Sequence, residues 1–448
     1  MSGLWGRWTS AMLVLGLACC SALPAVAQTR REKILADREK VQAEGFWIYN
    51  DLEAGRAKAR ETGEPLLVVL RCLPCEQCVK LDEELIEQHP EVAPLLRKYT
   101  RVRLVTANHL DLSQFQFDTD QSFAAFLMNA DGTVYGRFGT RSDQVKWAED
   151  VSIEGLARAL ERGLALHADY PRNRDQLAGK QGRAPAYRYP EDLPLYRGKY
   201  GPKINYEGDV VKSCIHCHMV GEGLRDAGWT AGAPLAPEVL FPYPHPKAAG
   251  LILDPKSTAR VAEVTPGSSA AAAGFLSGDE LQTLSGQPLV SIADVQWVLH
   301  QVPDAGGKLP VQVMRAGSIR ALTWTLEAGW RRRDDIAWRA STWELRRIGL
   351  GGMFLTELDR ERRTELALPD RLGGLYVQHV GQYAPHDRAK QAGVVKGDVL
   401  LSFDGRDNWG RETDLLEYAL NRVPRDRAVP VRIWRGGKTL ELVIPAAP

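Results

Sequence analysis

Outside the N-terminal leader described below, this chain has five cysteines, and they fall into two tight groups. Cys72, Cys75 and Cys78 share the run Arg71-Cys72-Leu73-Pro74-Cys75-Glu76-Gln77-Cys78, and Cys214 and Cys217 share Ser213-Cys214-Ile215-His216-Cys217-His218-Met219. Clustering of this kind points to redox chemistry or ligation, because a stapling framework would join distant segments. The first run contains two overlapping Cys-x-x-Cys pairs, so thiols can exchange among three partners. Metal ligation by the triplet, or one inert disulfide with a spare thiol, are the alternatives. The second run is Cys-x-x-Cys-His, the attachment signature of a c-type haem. There the thiols of Cys214 and Cys217 add to the vinyl groups, and His218 binds iron from one face. His245, in Phe241-Pro242-Tyr243-Pro244-His245-Pro246, is the first choice for the far-side ligand. A second disulfide centre, or a copper, zinc or iron site using His216 or His218, also satisfies the pattern.

The segments around these groups set the compartment and the domain count. Residues 1–10 carry Arg7 and no acid, Ala11 to Leu23 are uncharged, and Ala25-Val26-Ala27 offers small residues at a cleavage site. This is the layout of a secretory signal over residues 1–27, so the chain is expected in the periplasm or otherwise exported, rather than held by a lipid anchor. No later segment is long and apolar enough to span a bilayer. With 57 basic and 56 acidic side chains, the chain is nearly electroneutral. It has no long basic block, which argues against a nucleic-acid partner. The run Arg331-Arg332-Arg333 before Asp334-Asp335 reads as a solvated surface turn.

After a charged helical lead-in over residues 28–45, Leu52 to Thr62 forms a helix ended near Gly63, and Leu66 to Leu70 suits a strand covered on both faces. The cysteine loop follows, then a helix from Val79 to Gln88 and a strand at Arg101 to Val105. A hairpin turned by Asn129-Ala130-Asp131-Gly132 and a helix over Val151 to Leu166 close the unit. This order over residues 46–166 resembles the thioredoxin-like α/β fold. The resemblance implies that Cys75 and Cys78 are the working pair. Cys75 stands at a helix N-terminus, where backbone N–H groups favour its thiolate; Cys78 resolves the mixed disulfide and Cys72 modulates it. Two departures stand out. The stretch Asp120-Gln121-Ser122-Phe123-Ala124 has no proline where the family has a cis-proline, and Pro74 replaces the usual tryptophan.

Residues 167–248, which hold the Cys-x-x-Cys-His motif, are rich in proline and glycine, so long regular elements are not expected there. Beyond them the chain repeats itself. Ala273-Gly274-Phe275-Leu276-Ser277-Gly278-Asp279-Glu280-Leu281 matches Ala392-Gly393-Val394-Val395-Lys396-Gly397-Asp398-Val399-Leu400, and Val311 to Gly317 matches Val431 to Gly437. Such a repeat means two copies of one domain, over residues 249–328 and 329–448. In each the aspartate can cap or brace its loop.

Each copy resembles a circularly permuted bacterial PDZ domain. The resemblance implies that a peptide adds as a strand and that its carboxylate enters a loop of backbone N–H groups. In the second copy that loop is Gly349, Leu350, Gly351, Gly352 and Met353, with Leu415 and Leu416 lining the pocket. In the first copy the matching residues are Gly250, Leu251 and Ile252, with Val295 on the helix. No Ser/His/Asp protease domain precedes these modules. The whole arrangement resembles the bacterial thioredoxin/PDZ domain-containing (seleno)proteins, with cysteine in place of the selenocysteine some members carry. It implies a multi-domain chain: one thioredoxin-like α/β domain, an irregular haem-motif segment and two mainly-β PDZ-type domains. The function expected is thiol–disulfide exchange or electron transfer with a partner protein or peptide held by the PDZ-type domains. The rival is a non-enzymatic periplasmic scaffold with structural or metal-binding cysteines.

Overall fold

A computed structural model describes residues 29–71, 89–121, 123–139 and 151–447. The leader, the loop of Cys72, Cys75 and Cys78, and the helix expected over 79–88 lie outside the described residues.

The N-terminal unit begins with helix α1 (Arg30–Glu44), strand β1 (Ile48–Tyr49) and helix α2 (Leu52–Thr62). Helix α2 ends at Gly63, whose φ of 70° is the left-handed cap conformation that suits glycine. Strands β2 (Leu66–Arg71), β3 (Thr100–Leu104), β4 (Phe123–Met128) and β5 (Val134–Phe138) complete a five-stranded sheet in the order β1-β3-β2-β4-β5. All six residues of β2 are buried, as its unbroken apolar run anticipates for a central strand. β2 and β3 run parallel with Leu70 opposite Leu104, so both strands deliver their carboxyl ends to one edge. Helix α3 (Ile153–Asp169) covers one face through Leu156, Leu160 and Leu166.

The middle segment departs from expectation. It contains a 14-residue helix, α4 (Cys217–Thr230), which starts at the second motif cysteine. Its face is recognisable once the boundary is known, since Cys217, Val220 and Gly223 are buried. Gly221, Gly223 and Gly228 inside it weaken its helical signal.

The C-terminal half is a duplication in structure as well as sequence. The first copy has β6 (Leu251–Leu253), β7 (Val261–Val264), β8 (Glu280–Leu284), β9 (Gln287–Pro288), helix α5 (Ile292–His300), β10 (Gly307–Arg315) and β11 (Ser318–Leu326). A bridge helix, α6 (Thr342–Gly349), leads to the second copy. That copy has β12 (Met353–Glu357), β13 (Leu375–Val380), β14 (Val399–Phe403), β15 (Arg406–Asp407), helix α7 (Glu412–Asn421), β16 (Val429–Arg435) and β17 (Lys438–Ile444). The sheet orders are β11-β10-β8-β9 with a separate β6-β7 ribbon, and β12-β13-β14-β16-β17 with β15 on β14.

The repeated aspartate does the same job twice. Asp279 accepts from Leu276 N at 3.0 Å and from Arg315 at 2.6 and 2.7 Å. Asp398 accepts from Val395 N at 2.9 Å and from Arg435 at 2.6 and 2.7 Å. Each carboxylate ties the Gly-Asp turn to the penultimate strand of its own copy. Asp279→Asn and Asp398→Asn should therefore cost similar amounts, about 1.5–3 kcal/mol each, because each removes charge-assisted hydrogen bonds. Urea midpoints of the two variants check this; a large cost at one site and none at the other would contradict equivalence.

Arg331 also corrects an expectation. It is fully buried, not solvated, and donates to the carbonyls of Phe241, His300 and Val302. Arg331 thus anchors the inter-copy bridge to helix α5 and to the middle segment, whereas Arg332 and Arg333 are exposed as expected.

Candidate functional site

The Cys-x-x-Cys-His run is seated on the carboxyl edge of the thioredoxin-like sheet. Just past β3, Ala107 N donates to Ile215 O at 2.8 Å. The side chain of Asn108 accepts from Ile215 N at 2.7 Å and donates to Ser213 O at 3.0 Å and Gly201 O at 2.7 Å. Thr106 Oγ1 lies 3.4 Å from Cys214 Sγ. Asn108 therefore holds the motif backbone by both ends of its amide. Asn108→Ala should destabilise by about 1–3 kcal/mol per buried group left unsatisfied and should raise the alkylation rate of Cys214. Timed alkylation read by mass spectrometry checks this; an unchanged rate would show that the seat is held by something else.

The neighbouring strand β2 ends at the same edge with Arg71, the residue before Cys72 in the sequence. Arg71, the last described residue before Cys72, is 2 % exposed and pairs with Asp37 at 2.9 Å. Burial first, then Asp37 and Tyr206, push the Tyr49 hydroxyl above its ordinary range. Burial likewise raises Tyr206, with Cys214 and Asp37 among the groups that add to the shift. Arg71, Asp37, Tyr49, Tyr206 and Cys214 thus form one electrostatic neighbourhood where the chain departs toward Cys72.

The haem expectation meets a packing difficulty. Cys214 and Cys217 are 5 % and 8 % exposed. Cys214 packs with Ile34, Val105, Ile204 and Val210, whereas Cys217 packs in a different cluster with Phe115, Phe117 and Val220. A covalently held haem needs both sulfurs at one ring edge beside the histidine. His218 suits a ligand, because its ring is part-exposed and its Nδ1 faces Glu222 Oε1 at 3.0 Å. The two sulfurs do not. As folded here, the residues do not fit the group, and no step is routed through it. His245 caps a 3-10 turn by accepting from Lys247 N at 3.2 Å. Among the described residues, no group of three or more His, Cys, Asp or Glu side chains is arranged to hold a metal ion.

The residues expected to bind peptide are packed as core. In the second copy Leu350, Met353, Leu415 and Leu416 are all fully buried in one apolar cluster. Gly351 and Gly352 have φ of 63° and 85°, and a Cβ on Gly352 would lie 1.7 Å from His386 O, so the turn requires glycine. Its N–H groups serve the chain itself: Gly352 N donates to Arg346 O at 2.9 Å, and Met353 N to Leu350 O at 3.3 Å. Along β12, Leu355 N donates to Glu412 Oε1 at 2.7 Å, and that carboxylate is paired with Arg346 at 2.6 Å. Gly349 packs against Ala419 and Leu420 of helix α7. The edge strand and the helix are bridged by the protein's own side chain. In the first copy Leu251 and Val295 are fully buried, Ile252 is half-buried, and Gly250 closes against Ser268.

The feature the sequence did not disclose is a buried charge cluster joining the thioredoxin-like unit to the inter-copy bridge. Arg339 is 1 % exposed and pairs with Asp118 at 2.6 Å and Asp120 at 3.4 Å, and donates to Pro242 O at 2.6 Å. Ser341 donates twice to Asp120, from N at 2.8 Å and Oγ at 2.7 Å, and Arg225 of helix α4 bonds to Ser341 Oγ. Burial opposes the charge on Asp120, but Arg339, Arg225 and the Ser341 donors outweigh it and hold the carboxyl below its usual range. Asp118 and Asp120 precede β4, and Asp120 opens the stretch that lacks the family's proline. Distant charges in sequence gave no sign that they would meet.

Comparison with known proteins agrees with this architecture in part. Residues 47–130 match a thioredoxin-like family model, so the N-terminal unit is a thioredoxin-like domain. A probable periplasmic serine endoprotease, DegP-like, of Pseudomonas savastanoi pv. phaseolicola is 28 % identical over 186 residues, 42 % of this chain and 37 % of that protein. The corresponding protein of Halomonas elongata is 25 % identical over 228 residues, 51 % and 45 % of the two chains. The periplasmic pH-dependent serine endoprotease DegQ of Escherichia coli K12 is 26 % identical over 192 residues, 43 % and 37 %. This chain thus spans about two fifths of the length of the curated relatives it matches. Among solved structures, the HtrA-type protease AlgW with decapeptide aligns at 13 % identity with a TM-score of 0.21, covering 31 % of this chain and 49 % of that one. Among the described residues, no helix is long and apolar enough to cross a membrane.

Proposed function

We propose that this chain is an exported thiol–disulfide exchange protein in which Cys75 and Cys78 work beside Cys214, while the C-terminal units hold a partner polypeptide. The observation that carries the reading is the shared sheet edge. Leu70 of β2 lies opposite Leu104 of β3, and two residues beyond each stand Cys72 and Thr106, the latter against Cys214. Adjacent strands are ~4.8 Å apart, so the strand that leads to Cys72 ends beside the strand that leads to the seat of Cys214.

The chemistry follows from that placement. The Cys75 thiolate attacks one sulfur of a partner's disulfide, the S–S bond breaks, and the other partner sulfur leaves as a thiolate. The Cys78 thiolate then attacks Cys75 sulfur, releasing the first partner sulfur and forming the Cys75–Cys78 disulfide. The partner gains two electrons and two protons, and the pair loses them. Cys72 modulates the exchange, and the Cys214 thiolate can attack the Cys75–Cys78 disulfide, forming a mixed disulfide with one sulfur as the S–S bond breaks and the other leaves as a thiolate. Such pairs persist as disulfides only outside the reducing cytoplasm. The leader pattern and the periplasmic relatives support that location.

The burial of Cys214 and Cys217 favours a second reading, a scaffold whose cysteines brace the fold and whose C-terminal units do the binding. The two separate on one assay. Reduced protein should transfer two electrons to a disulfide-linked fluorogenic peptide and become resistant to alkylation at Cys75 and Cys78. No turnover, with unchanged capture of a partner by a form lacking all five cysteines, would leave the scaffold.

A further inference from the structure

Between the thioredoxin-like unit, helix α4 and the end of helix α5 lies a cavity of about 730 Å³. That volume is in the range of small-ligand sites, which favour junctions between domains. Its walls are apolar and aromatic: Phe115, Phe117, Val220, Leu224, Tyr243 and Trp297. Leu224 is 36 % exposed, one of few large apolar side chains so open. The charged groups beneath it, Asp118, Asp120 and Arg225, are occupied in the Arg339 cluster and have little to offer an incoming polar group. His300 in the wall is neutral: burial and the neighbouring arginines push it down to about 3, and its Nδ1 accepts from Tyr243 N at 3.3 Å.

The rim is different. Arg183 and Gln301 are exposed and Thr119 is half-exposed, while Glu238 in the same lining is already engaged, accepting from Asp304 N at 3.3 Å and lying 4.0 Å from Arg331 Nε. An apolar floor below a guanidinium, an amide and a hydroxyl suits a chain with apolar side groups, backbone amides and one negative charge. We propose that this cavity binds the apolar carboxyl-terminal segment of a partner polypeptide, with its terminal carboxylate on Arg183. This deepens the recruitment part of the proposed function and rests on it. It also places the binding site away from β12. Val220, Gly221 and Leu224 follow Cys217 along one face of helix α4, and Cys217 shares its apolar cluster with Phe115, Phe117 and Val220. A bound segment is therefore held about one helical turn from that thiol.

The test uses the full chain and a fluorescein-labelled heptapeptide with three apolar C-terminal residues, a photoreactive group and a free carboxylate. Crosslinks are expected within residues 220–225 and 297–303. Leu224→Glu, at an exposed position that folding tolerates, should weaken binding at least tenfold. Arg183→Glu should weaken the free-acid peptide at least tenfold and its C-terminal amide less than twofold. Crosslinks at residues 349–357, or affinity indifferent to both variants, overturn the inference and leave recruitment by the duplicated units standing. Dodecanoate displacing the peptide at equal or lower concentration overturns it in favour of a lipid. The absence of any crosslink overturns the inference and the recruitment reading together.

Discussion

Replacing Arg339 with methionine is expected to destabilise the folded chain by about 3–5 kcal/mol, the usual cost of removing one partner from a buried ionic group. Asp118 and Asp120, 3 % and 4 % exposed, would remain without their principal cation. Arg225 cannot replace it, because its donors are already spent on Ser341, Val239 O and Leu240 O. Urea denaturation followed by far-UV circular dichroism measures the loss. The triple variant Arg339→Met/Asp118→Asn/Asp120→Asn should recover part of it, since no buried charge is then stranded. A single variant within 1 kcal/mol of the parent would show that water reaches this cluster, because exposed pairs contribute only about that much.

The same cluster gives stability a pH dependence. Asp334 is pushed up to about 7, chiefly by burial, with Asp335 and Asp118 adding to the effect against Arg339. A carboxyl whose folded value lies above its unfolded value of 3.8 binds its proton more tightly in the folded state. Its contribution is therefore most favourable at low pH and is lost as pH rises from about 4 to about 7. Asp334→Asn should flatten the decline in stability over that window.

The second large effect is on chemistry. Cys75→Ser should lower disulfide exchange at least about a thousandfold, because a serine hydroxyl cannot act as the thiolate nucleophile and loss of a nucleophile costs several orders of magnitude. Cys78→Ser should instead accumulate the mixed disulfide between Cys75 and the partner, since nothing then resolves it. Cys72→Ser should leave turnover within about tenfold if its role is modulation. Stopped-flow reduction of a fluorogenic disulfide distinguishes the three. Equal loss in all of them would mean that the triplet acts as a single ligand set.

Much of the fold was legible because its signals are local. The apolar run Leu66 to Leu70 announced a strand covered on both faces, the Asn129 to Gly132 turn announced a hairpin, and the repeat about Asp279 and Asp398 announced a duplication with a shared brace. What stayed hidden depends on contacts between residues remote in sequence. The meeting of Asp118, Arg225 and Arg339 spans more than two hundred positions, and the burial of Arg331 depends on carbonyls of helix α5 and the middle segment. The residues expected to line the second copy's pocket lie in its core. Leu415 and Leu416 share one apolar cluster with Leu350 and Met353, and the Arg346–Glu412 pair ties helix α7 to β12 through Leu355 N. For helix α4, three internal glycines, Gly221, Gly223 and Gly228, masked a regular stretch that tertiary packing stabilises.

Whether the two cysteine groups meet is read most directly from a disulfide map of full-length protein secreted by its native host, titrated with dithiothreitol and trapped by alkylation. The account predicts a Cys75–Cys78 disulfide in the oxidised sample and, at partial reduction, a mixed disulfide joining Cys214 to Cys72, Cys75 or Cys78. Five independently alkylated thiols at every potential, with no bond between the groups, would contradict it.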